Sequence, residues 1–121
     1  MDCSFCYRTT PQERAKSPEK LDEELTELKA KHDIDFVFFV DLTFTSHKKQ
    51  TMEILDVIKD HDIRWTCLTR CADVDPERAA AMKDSGCDIA LFGVESLGKD
   101  VLLELGISKA TGVKIFFSVI L

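Results

Sequence analysis

Four short apolar runs punctuate the second half of the chain and more: Phe36–Val40, Ile63–Leu68, Ile89–Val94 and Val113–Leu121. They are rich in β-branched and aromatic residues, and three are continuously apolar or nearly so. That pattern predicts strands of a parallel sheet buried on both faces, rather than half-wet antiparallel strands. Their starts recur every 24 to 27 residues. Each interval holds a strand, a helix and two short loops, the βα unit.

The segments between the runs carry helix punctuation. Ser17-Pro18-Glu19 places a capping hydroxyl before a proline at the first helical position, with an acid in the first turn. Leu21, Leu25 and Leu28 then share one apolar face. A second helix is expected over 46–61, facing inward with Met52, Leu55 and Ile58. Asp75-Pro76-Glu77 repeats the opening signal, and Gly86 closes that third helix. Leu97 to Leu105 reads as a shorter fourth helix, interrupted by Gly98. Right-handed crossovers in such a chain put every strand C-terminus on one rim, where binding chemistry collects. Asp41, Thr43 and Thr45 follow the first run, Arg70 and Cys71 the second, and Glu95 and Ser96 the third. Cys87 precedes its run and reads as structural.

Composition narrows the functional classes. The 121 residues are 45% hydrophobic and 31% charged, enough for one domain with a modest core but too few for a complete eight-fold barrel. Sixteen basic against 22 acidic side chains give a net charge of -6, which argues against a general nucleic-acid grip. No apolar run approaches the ~18 residues of a membrane span. No secretory signal opens the sequence, so the five cysteines are expected to be reduced thiols in a cytoplasmic protein.

Cys3-Ser4-Phe5-Cys6 is a C-x2-C pair in a loop ahead of the first helix. Two thiolates at that spacing can share a metal or a cluster. Zinc, redox pairs and iron–sulfur clusters all use it, and two unconnected thiols are the plain alternative. A thioredoxin-type pair is disfavoured, because no strand precedes the motif.

Cys3-Ser4-Phe5-Cys6-Tyr7-Arg8 resembles the second half of the C-x3-C-x2-C cluster loop of radical S-adenosylmethionine (radical SAM) enzymes. The later segments agree in order. Phe39–Thr45 resembles the end of that family's second strand, Ile63–Cys67 with Arg70 its third strand. Met82–Cys87 followed by Phe92–Ser96 resembles its third helix and fourth strand. The combination is most like the branch that often carries a cobalamin-binding domain upstream.

The resemblance implies an incomplete parallel (β/α) barrel of TIM-barrel type, with about four visible strands and the family's first strand missing. Residues 1–17 would form the cluster loop and 18–121 the βα units. It implies Cys3 and Cys6 as ligands of a 4Fe–4S cluster. Asp41 would meet the methionine amino group of S-adenosylmethionine, and Glu95 and Ser96 the ribose. Arg70 would meet the methionine carboxylate or substrate, and Tyr7 the adenine. A small-molecule substrate and an external electron donor are implied partners, and cobalamin would come through a domain outside this sequence. The family's first cluster cysteine would lie four positions before Cys3, so the chain is expected to be the middle of a larger domain. Cys71 is a candidate substitute ligand.

Plainer roles compete at several positions. Asp41 and Ser46 could cap the following helix, Glu95 could sit in a first helical turn, and Arg70 could form a rim ion pair. His32, His47 and His61 read as solvated surface. Two other protein classes compete as well: a non-catalytic zinc module using Cys3, Cys6, Cys67 and Cys71, and an inactive remnant that self-associates through open sheet edges.

Overall fold

The computed structural model describes residues 16–40, 44–94 and 114–119. Its elements are α1 (Pro18–His32), β1 (Phe36–Phe39), α2 (Lys48–Asp60), β2 (Arg64–Thr69), a 3-10 turn (Cys71–Asp73), α3 (Pro76–Asp84), β3 (Cys87–Val94) and β4 (Lys114–Val119). The expected fourth helix at 97–105 lies outside the described residues. The strands form one sheet in the order β1-β2-β3-β4, and all three pairings are parallel. The α/β class and the open parallel sheet therefore agree with the sequence pattern.

The capping signals act as read at two helices. Ser17 accepts from the Lys20 amide at 3.2 Å, with Pro18 in the first turn. Asp75 accepts from the Arg78 amide at 2.8 Å, with Pro76 in the first turn. Each cap satisfies one of the amides that a helix start leaves without a partner. At α2 the cap residue is His47, not Ser46, and it makes no side-chain capping bond. The Ser46 hydroxyl instead meets His47 Nδ1 at 3.0 Å. His61 also departs from the solvated-surface reading. Its side chain is only 12% exposed and its Nε2 lies 2.7 Å from Asp22 of α1.

Strand order without reversal decides where the helices go. Consecutive right-handed crossovers in one direction put all the helices on the same side of the sheet. The core accordingly joins Leu21 and Leu25 of α1, Leu55 and Ile58 of α2, and Ala79 and Met82 of α3 to Trp65, Cys67, Ala90 and Phe92 of the sheet. Strand alternation sends Phe36, Phe38, Thr66, Leu68, Ile89 and Leu91 to the opposite face. On that face Phe36, Phe38 and Val40 are 43%, 47% and 71% exposed. The expectation of burial on both faces is thus met fully on the helical side, while on the other face Thr66 is buried and the β1 residues are exposed. Apolar side chains on both faces anticipate a second covering layer, which three helices on one side do not supply.

β3 starts at Cys87, two residues before the apolar run. The pairing of Trp65 with Cys87 is followed by that of Thr66 with Ile89, so the register shifts by one residue there. Asp88 occupies the shift and faces Arg64 at 3.5 Å.

Candidate active-site rim

The strand C-termini converge on one rim, as the topology requires. Of the seven residues assigned to cofactor, cluster or substrate, only Arg70 is described. Cys3, Cys6, Tyr7, Asp41, Glu95 and Ser96 lie outside the described residues. Arg70 follows β2 directly, and its Nε donates to Asp73 Oδ2 at 2.8 Å across the 3-10 turn. The rim ion pair is therefore real. Asp73 engages only the Nε edge, and the arginine side chain is 42% exposed at the rim.

Behind the rim, the loop after β1 is fastened to β2 and α3. The Phe44 amide donates to the Leu68 carbonyl at 3.1 Å. Thr45 is fully buried, and its hydroxyl bonds the buried hydroxyl of Thr69. Arg78 Nη1 donates to the Thr45 carbonyl at 2.8 Å, while its Nε meets Asp75 Oδ2 at 3.2 Å. Lys48, in the first turn of α2, pairs with Asp75 at 3.1 Å and with Glu77. Burial opposes the charged form of Asp75, but the Arg78 amide, Lys48 and the Arg78 guanidinium together hold it below the usual carboxylate value. Glu77 and Asp75 hold the Lys48 ammonium above its usual value.

The sequence pattern points to Thr45 as a rim residue and to Asp75 as a cap. It does not point to Arg78 or Thr69. Arg78 meets a carbonyl 33 residues earlier in the chain, a contact with no local signature. On the face of the sheet away from the helices, the buried Thr66 hydroxyl has no hydrogen-bond partner among the described residues.

Among the described residues, no group of three or more His, Cys, Asp or Glu side chains comes together to hold a metal. Cys67 and Cys87 in particular do not fit one. Both are buried, at 0% and 1% exposure. The neighbouring Cys87 thiol and burial push the Cys67 thiol above its ordinary value. Cys67 therefore does not serve the zinc module, because it points into the helix-covered core and not toward the rim. Cys87 Sγ contacts the Ile89 carbonyl at 3.6 Å, in keeping with its structural reading. Iodoacetamide treatment of the folded chain is expected to leave Cys67 unmodified by peptide mass spectrometry, with alkylation only in denaturant. Rapid labelling under native conditions would contradict the buried thiol.

A singly wound parallel βα sheet, with its strand ends and polar loops on one rim, defines the class of protein. The chain matches the radical SAM superfamily over residues 1–121 and belongs to it. Enzymes of that family carry a 4Fe–4S cluster and use S-adenosylmethionine. Among curated proteins, the chain is 34% identical over 110 residues to an uncharacterized methyltransferase of Pyrococcus horikoshii, covering 87% of this chain and 24% of that protein. It is 28% identical over 112 residues to the bacteriochlorophyllide d C-8(2)-methyltransferase of Chlorobaculum tepidum, covering 84% and 25%. The chain thus spans about a quarter of the length of the relatives it matches. In fold it resembles the radical S-adenosylmethionine methyltransferase TsrM of Kitasatospora setae, solved with cobalamin and a 4Fe–4S cluster bound. The TM-score is 0.76 at 13% identity, over 86% of this chain and 25% of that one. These relatives agree with the cobalamin-associated branch of the family.

Proposed function

We propose that this chain is part of a radical SAM enzyme core whose cluster loop, residues 1–17, holds a 4Fe–4S cluster through Cys3 and Cys6. When bound, the cluster supplies the electron that cleaves S-adenosylmethionine to methionine and a 5′-deoxyadenosyl radical. The observation that carries this reading is the family match over the whole chain, which includes the C-x2-C loop. The singly wound sheet supports it, since strands added in the same order continue toward a parallel (β/α) barrel. In that barrel the open face bearing Phe36, Phe38 and Thr66 is the inner lining.

Asp41, Arg70, Glu95 and Ser96 are then rim residues for S-adenosylmethionine, with Tyr7 at the adenine. Each follows a strand or belongs to the cluster loop. Arg70 has the most direct support, because its guanidinium stands exposed at the rim. The methyltransferase relatives favour methyl transfer to a small molecule, with an external electron donor and cobalamin from a further domain. The third cluster cysteine comes from chain beyond this sequence, or from Cys71 at the start of the 3-10 turn. No helix among the described residues is long and apolar enough to cross a membrane, which suits a cytoplasmic enzyme. Among the described residues β1 and β4 are the two sheet edges, through which copies of the isolated chain would associate.

Anaerobic reconstitution with iron and sulfide tests the cluster assignment. A chain extended to restore the cysteine four positions before Cys3 is expected to take up iron and sulfide with broad visible absorption, and Cys3→Ala or Cys6→Ala to abolish that uptake. Unchanged yield in Cys71→Ala would remove Cys71 as a ligand. One tightly bound zinc without visible absorption would replace this reading with a metal-binding module.

A further inference from the structure

Two polar side chains on the sheet face away from the helices lack partners among the described residues. Thr66 is 6% exposed, and its buried hydroxyl makes no hydrogen bond there. A buried hydroxyl left unpaired is costly, so its retention calls for a reason. Strand pairing aligns Phe38, Thr66, Ile89 and Lys114 in one row across β1, β2, β3 and β4. Trp65, Cys67 and Ala90 belong to the helix-covered core, so strand alternation turns this row to the other face. Lys114 is exposed and forms no ion pair among the described residues. Arg64 and Arg70, which alternation puts on the same face, are engaged by Asp35 and Asp88 and by Asp73.

We propose that this face binds an elongated apolar carboxylate that also carries a hydroxyl or carbonyl group. The inference rests on the radical SAM reading above and deepens it, naming the class of small molecule that the inner lining receives. Lys114 and Thr66 lie two strand spacings apart, about 10 Å. A carboxylate held by the Lys114 ammonium therefore lays its hydrocarbon across Ile89 before the second polar group meets the Thr66 hydroxyl. A lone ammonium is a point charge that suits a singly charged group. The forked donors that favour a phosphate belong to Arg64 and Arg70, which acids already hold. Phe36 and Phe38 supply the apolar wall on the far side of Thr66. The Phe38 ring, 47% exposed, is the cover that turns aside to open the hydroxyl, a fast rotamer change for a side chain in contact with solvent.

Fluorescence of anilinonaphthalene sulfonate, an apolar aromatic anion, reports binding to the chain, and N-phenylnaphthylamine is its counterpart without the charge. The anionic probe is expected to bind about tenfold more tightly than the neutral one. Lys114→Met, at an exposed position, is expected to remove that preference and to leave the neutral probe unaffected. Competition against the anionic probe tests the second polar group. There ω-hydroxydecanoate is expected to act at about fivefold lower concentration than decanoate, and Thr66→Val to abolish the difference. Thr66→Val is also expected to raise the urea midpoint of the unliganded chain, because it removes an unpaired hydroxyl at nearly constant shape. Equal binding of the two probes, a charge preference that survives Lys114→Met, or a lowered midpoint in Thr66→Val would each overturn the proposal. So would a hydroxyl advantage that is absent or survives Thr66→Val, or stronger competition by decyl phosphate than by decanoate. Failure of the extended chain to take up a cluster, with probe binding intact, would instead overturn the functional reading beneath it.

Discussion

Trp65→Ala is expected to lower the unfolding free energy by about 3–5 kcal/mol, the usual cost of truncating a fully buried large aromatic side chain. A domain of this size has only about 5–15 kcal/mol in total, so the variant should be barely folded at room temperature. Trp65 is 0% exposed and sits where three parts of the chain meet. Its ring packs edge-on to Phe39 of β1 at 5.7 Å and against Phe44 of the rim loop at 5.1 Å. Its indole N–H donates to the Ser85 carbonyl at 3.0 Å, tying in the end of α3. Alanine would leave a cavity beneath the rim and a buried carbonyl short of its donor. Trp65→Phe keeps most of the ring contact and loses the hydrogen bond, so its cost should be nearer 1–2 kcal/mol. Urea unfolding followed by far-ultraviolet circular dichroism measures both. Trp65 is the only tryptophan, so its fluorescence cannot report on its own removal. A loss below about 1 kcal/mol for Trp65→Ala would mean that the three parts do not meet at this side chain.

Gly86→Ala should destabilise by about 2–3 kcal/mol, although it adds one methyl group. Gly86 has φ of +95°, a backbone region that side-chain-bearing residues rarely adopt. A Cβ there would lie 2.4 Å from the Ile63 carbonyl oxygen. That oxygen is backbone and cannot rotate away, and the neighbouring chain is fixed because the Gly86 carbonyl accepts from the Trp65 amide at 3.1 Å. Gly86→Asn separates the two causes. Asparagine tolerates positive φ better than alanine, but it carries the same Cβ into the same oxygen. Equal losses would assign the cost to the close approach, and a clearly milder asparagine would assign it to φ. A melting temperature unchanged in both variants would refute the tight α3–β3 turn.

These two positions differ in how far the chain alone announces them. Gly86 is marked as a helix stop by the residues before it, because helix termination is a local event that glycine favours through its own backbone freedom. Trp65 shows only that an aromatic side chain occupies a strand. Its role as the joint between β1, the rim loop and α3 depends on residues 20 or more positions away in either direction. The site divides in the same manner. Cys3-Ser4-Phe5-Cys6 and the ordered segments up to Ser96 are contiguous stretches, and the family they indicate matches the entire chain. Arg78 is anonymous in the sequence, since nothing about an arginine in the first turns of a helix specifies a carbonyl across the rim. Cys67 was open to a metal role while its neighbours were unknown. Packing under the helices points it into the core, beside Cys87 and away from the rim.

The sequence by itself determined the alternation of strands and helices, the caps at Ser17 and Asp75, the turn at Gly86 and the family. Each of these depends on residue periodicity or on a few adjacent residues, where short-range sterics and hydrogen bonding decide the outcome. Only the tertiary structure decided which sheet face the helices cover, which cysteines are withdrawn from metal chemistry, and how Arg78 and Thr69 fasten the loop after β1. Those outcomes depend on strand order and register. A strand pattern with apolar residues on both sides is compatible with either face, until a crossover direction shared by every unit places all the helices on one.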